Sequence, residues 1–219
     1  MNRASVQGRL IAVLCAIASL LAARPATAQP DPRESQRTAA IQAGMIINFL
    51  RYTTWPASAF IDKDGKRAPI ILAIAGDSPL EPALATAAKG VTIDGRAIEL
   101  RRLQPPRPRA GEDQPSRDDL RTFHEALRAA HAVFFGESER DSFPAALDAL
   151  ANAPALTIAA FPDFAHRGGM LGLTFRARRV AFEANEHTIR RSPLRLSSRL
   201  LKLATIVGPP ADRREEGTP

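Results

Sequence analysis

The chain has 219 residues, of which 45% are hydrophobic and 24% charged, with 30 Lys and Arg, 23 Asp and Glu, 4 His and a single Cys. A chain of this size and composition can bury a hydrophobic core as one globular domain, and the values exclude a collagen, a coiled coil, a disulfide miniprotein and a wholly disordered chain. The formal charge of +7 and the isoelectric point near 10.6 point to nucleic acid at first sight, so the distribution of charge along the chain matters.

The segment over residues 1–28 has the pattern of a cleavable export signal. Basic residues precede an apolar run from Leu10 to Ala23, and Ala26-Thr27-Ala28 supplies the small-x-small sequence that signal peptidase requires. The run is shorter than the ~20 apolar residues that span a bilayer, so a retained membrane anchor is the weaker interpretation. We predict cleavage after Ala28 and a periplasmic mature protein that does not span the membrane.

Cleavage would change the charge and remove the only cysteine. Three arginines and no acidic residue lie in this segment, so the mature chain carries +4 rather than +7. Cys15 lies there too, and the mature chain therefore has no disulfide, thiol nucleophile or thiolate ligand. With aromatic residues at 5% and a modest charge, a solvated arginine surface is favoured over nucleic-acid binding. Acidic proteins and lipid headgroups remain electrostatic partners for these arginines.

The first half of the mature chain alternates helical and extended patterns. Thr38 to Tyr52 has apolar residues at spacings of three and four, which predicts a helix. That helix must end before Trp55-Pro56, because a residue that precedes proline avoids the α region. Pro69 to Ala75 is an apolar run short enough to be a buried strand. The next predicted elements are a helix over 80–89, strands over 91–93 and 97–103 joined by an Asp94-Gly95 turn, and an exposed loop over 104–116.

The second half continues the alternation. We predict a helix over 117–130, a strand over 132–135, a helix over 142–150 capped by Ser142, and a strand over 155–160. A hairpin with strands over 170–175 and 180–184 follows, and Asn185 caps a short helix that ends at Arg191. Ser197 caps a last helix whose apolar face extends to Val207. Residues 208–219 have the composition of a disordered polar tail.

Apolar strands that alternate with helices are typical of βαβ units and a parallel sheet. Because the final hairpin adds an antiparallel edge, the sheet should be mixed. The sequence therefore predicts a single three-layer α/β domain over residues 35–207. Its mixed, mostly parallel sheet should be flanked by helices and should end in a C-terminal β-hairpin.

The sequence contains no catalytic, metal or cofactor motif. It has no Gly-x-Ser-x-Gly nucleophile elbow. Asp163 with His166 and Glu183 with His187 do not form a metal-binding motif. The glycine-rich run over 168–172 lacks the Rossmann spacing and precedes a strand, so a phosphate cradle is not expected. We expect no catalytic residue, no metal and no cofactor, and glycines that serve a turn and close packing.

Three residues are candidates for contact with another molecule. Trp55 belongs to a residue type enriched at interaction hot spots, and we predict it as a partner-binding residue; a core position beneath the first helix is the favoured alternative. Asp77 and Ser78 follow the first apolar strand, where α/β proteins often bind ligands. We predict a ligand crevice at these two residues, and a turn with a helix cap is the alternative.

Several segments together resemble the YfiR family, the DUF4154 type of periplasmic regulators. The first helix runs into Tyr52-Thr53-Thr54-Trp55-Pro56, as at the start of these proteins, and residues 131–138 (HAVFFGES) are similar to their middle. The C-terminal part is the most similar: it has Gly168-Gly169-Met170, the strand Val180–Asn185, a short helix and the segment Leu194–Ala204 (LRLSSRLLKLA). The resemblance spans residues 38–207.

The resemblance implies a small periplasmic α/β protein without known catalysis. The best-known member represses an inner-membrane diguanylate cyclase by binding its periplasmic part, which lowers cyclic di-GMP and biofilm formation, and members tend to form homodimers. Disulfide-bearing members have cysteines near the positions of His131 and Gly172, where this chain has none, so disulfide control is not expected. We expect a regulator that binds the periplasmic part of an inner-membrane sensor or cyclase. The alternative is a periplasmic small-molecule binding module that uses the crevice near Gly76–Leu80.

Overall fold

The computed structural model describes residues 32–61, 66–109, 111, 113–176 and 179–208. The chain divides into two compact units, Met1–Ser35 and Gln36–Pro219. Of the first unit only residues 32–35 are described, and they form the start of a helix. The predicted export signal and the predicted tail, apart from Gly208, lie outside the described residues.

Helices and strands alternate along most of the second unit. The helices are α1 (Pro32–Arg51), α2 (Glu81–Ala88), α3 (Arg117–Arg128), α4 (Phe143–Ala149), α5 (Glu186–Arg191) and α6 (Ser198–Leu201). The strands are β1 (Thr53–Thr54), β2 (Ile70–Ala75), β3 (Thr92–Ile93), β4 (Arg96–Leu103), β5 (Ala132–Phe135), β6 (Leu156–Ala159), β7 (Leu171–Arg176), β8 (Arg179–Asn185), β9 (Arg195–Leu196) and β10 (Thr205–Val207). Along this described part of the chain, no helix has both the length and the apolar character needed to cross a bilayer.

Eight of the strands form one mixed sheet in the order β10-β8-β7-β6-β5-β2-β4-β3. Strand β2 lies between β4 and β5 and is parallel to both, and β5, β6 and β7 continue in parallel. Strands β3 and β4 pair antiparallel, as do β7 and β8. Strands β1 and β9 form a separate two-stranded sheet. The predicted α/β class, with a mixed, mostly parallel sheet and a C-terminal hairpin, is confirmed.

Alternate side chains of the central strands point into two separate hydrophobic cores. On β2, Ile70, Leu72 and Ile74 belong to the core that α1 and α2 cover. Ala73 and Ala75 belong to the core that α3 and α4 cover. Because successive side chains of a strand point to opposite faces, one short apolar strand contributes to both cores. Helices therefore lie on both sides of the sheet, which makes three layers.

Local turn signals account for the tight connections. Asp94 and Gly95, between β3 and β4, have φ angles of 51° and 75°, and a two-residue hairpin turn of type I′ requires positive φ at both central residues. Gly169 packs against Phe164 so closely that a Cβ would lie 2.1 Å from the ring atom Cε1. The predicted hairpin turn and the predicted close packing of the glycines are both found.

The predicted last helix is wrong beyond Leu201. Ser197 caps α6 as predicted, since its hydroxyl accepts the Arg199 N–H at 3.3 Å. The helix then ends, and the residues from Thr205 to Val207 form β10, parallel to β8. The β-branched Thr-Ile-Val sequence favours a strand, and this strand covers an edge of β8 that would otherwise be open. The C-terminal hairpin is therefore not the sheet edge that the sequence predicted.

Two helix starts also differ from the prediction. Helix α1 begins at Pro32 rather than Thr38. Ser142 precedes α4, but its side chain does not cap the helix; its hydroxyl donates to Glu139 Oε2 at 2.6 Å. A proline in the first turn of α4 has no N–H, so one fewer donor needs a cap there.

Candidate functional site

The loop that follows β2 carries the predicted crevice residues. Gly76, with φ of 76°, turns the chain out of β2, and its N–H donates to the Leu103 carbonyl at the end of β4 (2.9 Å). A Cβ at Gly76 would lie 2.4 Å from Ser138 Oγ. The next residue is Asp77. Ser78 then closes a tight turn, because its hydroxyl accepts the Leu80 N–H at 3.1 Å.

Asp77 lies in a charged network on the β4 side of this loop. Its carboxylate accepts a 2.6 Å hydrogen bond from Arg102, and Arg102 also contacts Glu81 at 3.2 Å. The hydrogen bond from Arg102 is the main reason that the pKa of the Asp77 carboxyl lies below its usual value, and a hydrogen bond from Gln104 acts in the same direction. Asp77, Glu81 and Arg102 line an open depression of about 730 Å³.

The β5 side of the same loop is filled by the protein itself. The Asp77 N–H donates to Ser138 Oγ at 3.0 Å, and the Ser138 hydroxyl donates to Glu139 Oε1 at 3.0 Å. A Cβ at Gly136 would lie 2.2 Å from the Asp77 carbonyl oxygen. The strand order reverses between β2 and β5, where doubly wound folds usually bind ligands, and here side chains occupy that place. The crevice at Asp77 and Ser78 therefore opens only towards β4, and its role as a ligand site stays a prediction.

Trp55 is 9% exposed and belongs to the hydrophobic core that α1 and α2 cover. Its indole N–H donates to the His131 carbonyl at 2.9 Å. The indole ring meets Phe60 and the His131 ring edge-on, each with 6.3 Å between ring centroids. Trp55 therefore holds the segment after α1 to the residue that precedes β5. Its role in partner binding stays a prediction.

His131 joins the same cluster through both ring nitrogens. Nδ1 accepts the Ile71 N–H at 3.0 Å, and Nε2 lies 3.0 Å from the Ala59 carbonyl, so Nε2 carries the proton. The ring stacks on Phe60 at 4.5 Å, and the guanidinium of Arg96 lies 3.9 Å from the centre of the Phe60 ring. We name Trp55, Phe60, Arg96 and His131 the Trp55–His131 cluster.

Burial is the main reason that the pKa of His131 lies below its ordinary value, because an imidazolium there would lose its water. The positive charges of Arg96 and Arg101 lower this pKa further, and the Ala59 carbonyl opposes the shift. Sequence reasoning missed this role of His131. The available signal was its position directly before the apolar strand β5.

Buried polar residues at the end of β8 are satisfied inside the protein. Asn185 is 0% exposed; its Oδ1 accepts the Thr188 N–H at 3.0 Å, and its Nδ2 donates to the Ala165 carbonyl at 2.8 Å. The predicted cap is confirmed. His166 Nε2 lies 3.7 Å from Glu183 Oε2. In the ranges that the structure describes, no three His, Cys, Asp or Glu side chains are placed to hold a metal ion together.

Large apolar side chains are exposed next to the last strand. Leu203 is 77% exposed and Ile206 is 48% exposed, and the neighbouring Arg199 and Lys202 are exposed as well. Strand β10 is the outermost strand on this side of the sheet. We name these four residues the α6–β10 edge. The sequence prediction missed it, because it assigned Leu203 to the buried face of a longer helix.

A solved structure shares this fold. A conserved domain protein from Vibrio cholerae O1 biovar El Tor is similar over 75% of this chain and 59% of its own, with a TM-score of 0.51 and 10% identity. The ABC domain from Streptococcus pneumonia, solved in complex with L-Trp, matches over 77% of this chain and 62% of its own, with a TM-score of 0.48 and 12% identity. This chain thus spans about three fifths of each protein's length.

A search of curated proteins found no match to this sequence. A family model does match: the model of the YfiR/HmsC-like proteins, DUF4154, covers residues 39–205. That range includes the Trp55–His131 cluster, the β2 loop and most of the α6–β10 edge. The chain belongs to the YfiR/HmsC-like family.

Proposed function

We propose that this protein is a periplasmic regulator of cyclic di-GMP signalling that binds the periplasmic part of a membrane-anchored diguanylate cyclase and represses it. The observation that carries this proposal is the family match over residues 39–205. The best-known member of the family acts by binding its partner. The polar groups around Asp77 and those around His131 each bond to neighbouring groups of the protein, which supports a role in binding rather than in catalysis.

The α6–β10 edge is the surface that we assign to the partner. Arg199 lies on α6, and Lys202 and Leu203 follow in the turn between α6 and β10; all three are exposed. Ile206 follows on β10. Residues 186–207 contain five Lys and Arg residues and one acidic residue, the partly exposed Glu186. Opposite charge guides association and apolar contacts supply affinity, so the complementary surface on the cyclase should be an apolar patch with an acidic rim.

Deleting the gene and measuring cyclic di-GMP tests the function. We expect the level to rise and to fall again when the wild-type gene is restored. Leu203→Glu should fail to restore it, because the new charge enters an apolar contact and is also repelled by an acidic rim. Ile61→Glu is the matched control, since Ile61 is 75% exposed and lies away from β10 in sequence. Unchanged cyclic di-GMP after deletion, with no membrane sensor protein co-purifying, would contradict the proposal.

The mass of the purified protein in solution shows whether the α6–β10 edge binds the cyclase or a second copy of this chain. If wild type is a dimer and Leu203→Glu is a monomer, the α6–β10 edge is a self-interface and its assignment to the cyclase is wrong. If both proteins have the same mass while only wild type binds the cyclase, the assignment holds. Light scattering after gel filtration gives both masses.

The predicted contact of Trp55 with the partner has a direct test, because Trp55 is the only tryptophan. Adding a periplasmic cyclase fragment that lacks tryptophan should shift Trp55 emission if the partner reaches this residue. An unchanged spectrum at saturating partner would show that Trp55 acts only inside the protein. The spectrum of the free protein, with a buried indole, is the reference.

A further inference from the structure

A cavity of about 360 Å³ lies between α4 and α5. This volume is within the range of small-molecule sites. The loop before β6 and the loop before β7 close its sides. None of the residues that we predicted as ligand contacts lies in it. Leu147, Leu150 and Met170 contribute apolar walls.

Hydrogen-bond donors converge on this cavity. The Thr157 hydroxyl accepts the Met170 N–H at 2.9 Å, which leaves its own O–H to donate. Thr188 adds a second hydroxyl and His187 a ring nitrogen. Within the described part of the chain, the Arg191 side chain makes no hydrogen bond or ion pair. A guanidinium without a partner at the mouth of a cavity favours an anionic group.

The charges around the cavity are unequal. Arg167 is held in place, because it donates to the Arg140 carbonyl at 2.9 Å and lies 4.6 Å from the centre of the Phe143 ring. Arg167 and Arg191 carry two positive charges, and Asp148 carries the opposing negative charge. A single negative charge on the ligand would balance the site, whereas a doubly charged phosphate would also meet Asp148.

We propose that this cavity binds a small amphipathic carboxylate. Its hydrocarbon part would lie against Leu147, Leu150 and Met170, and its carboxylate would accept hydrogen bonds from Arg191 and Thr188. The proposal is independent of the proposed function, because binding can be measured on the purified protein without any partner. A regulator with such a site could report on free carboxylates in its compartment.

Calorimetric titration with octanoate tests the site, and octanol and octyltrimethylammonium serve as the uncharged and cationic controls. We expect saturable one-to-one binding of octanoate and weaker binding of both controls. Arg191→Gln should weaken octanoate binding about tenfold, the usual effect of losing a charged hydrogen bond. Arg190→Gln is the matched control, since Arg190 is adjacent on α5, pairs with Glu186 and lies outside the cavity. Its affinity should equal that of wild type.

Asp148→Asn tests whether the cavity binds a simple anion. Removing this negative charge should strengthen octanoate binding by several-fold if the site holds a simple anion. Weaker binding in this variant, equal losses in the two arginine variants, or octanol binding as tight as octanoate would each overturn the proposal. So would the absence of saturable octanoate binding. Both arginines are exposed, so their variants should fold and keep the wild-type melting temperature.

Discussion

The Trp55–His131 cluster and the α6–β10 edge contain the same kinds of side chain, large apolar groups next to arginines, but use them in opposite ways. In the cluster, Trp55 is 9% exposed and its indole N–H is bonded inside the protein. At the edge, Leu203 is 77% exposed. Residue type alone therefore does not identify an interaction surface here. What distinguishes the two regions is whether a neighbouring segment covers them.

The difference has a cause in the chain connectivity. Trp55 belongs to the hydrophobic core that also contains residues of α1 and of the central strands. The segment after α6 becomes the outermost strand, and no further described strand lies beyond it. A cluster covered in this way contributes to stability. An edge left uncovered contributes little to stability and is available for binding.

The largest expected effect is at Trp55. Trp55→Ala would leave a cavity and remove one of the two hydrogen bonds that the His131 carbonyl accepts, the other being from the Leu156 N–H. Large-to-small changes of this kind cost about 3–5 kcal/mol. Urea unfolding followed by circular dichroism measures the loss. Leu203→Ala is the control at the edge and should change the free energy of unfolding by no more than about 0.5 kcal/mol. Equal losses in the two variants would break the distinction between the cluster and the edge.

Asn185 should show the next largest effect. Asn185 lies opposite Val207 in the parallel pairing of β8 with β10, so it is next to the α6–β10 edge. Asn185→Ala would remove the α5 cap and the shorter of the two hydrogen bonds that the Ala165 carbonyl accepts, at a cost of about 1–3 kcal/mol. Asn185→Asp keeps the cap acceptor but would place a buried carboxylate oxygen against the Ala165 carbonyl, so it should lose at least as much at neutral pH. Thermal unfolding measures both variants; a stable Asn185→Ala would show that the scaffold of the edge tolerates this loss.

The features that sequence reasoning found have local signals. The central strands are short apolar runs, the β3–β4 turn has Asp-Gly at its centre, and Asn185 precedes a short helix. The α/β class follows from the order of these elements. The YfiR resemblance rests on several segments in the right order, and the family match covers the same region.

The features that it missed depend on residues far apart in the chain. Trp55 and His131 are 76 positions apart, so no spacing rule could join them. The strand at 205–207 forms because β8 offers an open edge, and the periodicity of that segment fits a helix as well. The cavity between α4 and α5 requires four separate segments to meet. Its arginines are indistinguishable in sequence from the many surface arginines.

The third prediction concerns pH and the cluster. Because the pKa of His131 is lowered in the folded protein, the unfolded chain binds a proton at this residue first as the pH falls. The free energy of unfolding should therefore decrease as the pH falls below about 6.5, the ordinary histidine value. His131→Asn keeps an acceptor near the Ile71 N–H and should remove this component. The difference between the two proteins, measured by urea unfolding from pH 7.5 to 5.5, isolates His131; identical pH dependence would contradict this account.

The smallest effect is expected at Arg96, where the cluster reaches solvent. Arg96→Gln would remove the guanidinium from the Phe60 ring and the 2.8 Å hydrogen bond to the Ala68 carbonyl, at a cost of about 1 kcal/mol. It also removes a positive charge near His131, so the pKa of His131 should move up towards its ordinary value while burial still holds it below. NMR titration of the His131 ring against pH measures this shift, and Arg199→Gln at the edge should leave it unchanged. If the two variants shift the His131 titration equally, the charge effect is not local to the cluster. If Arg96→Gln alone shifts the His131 titration, the two arginines differ as Trp55 and Leu203 do. Arg96 then affects a buried group of the cluster, whereas Arg199 affects none and is available to a partner.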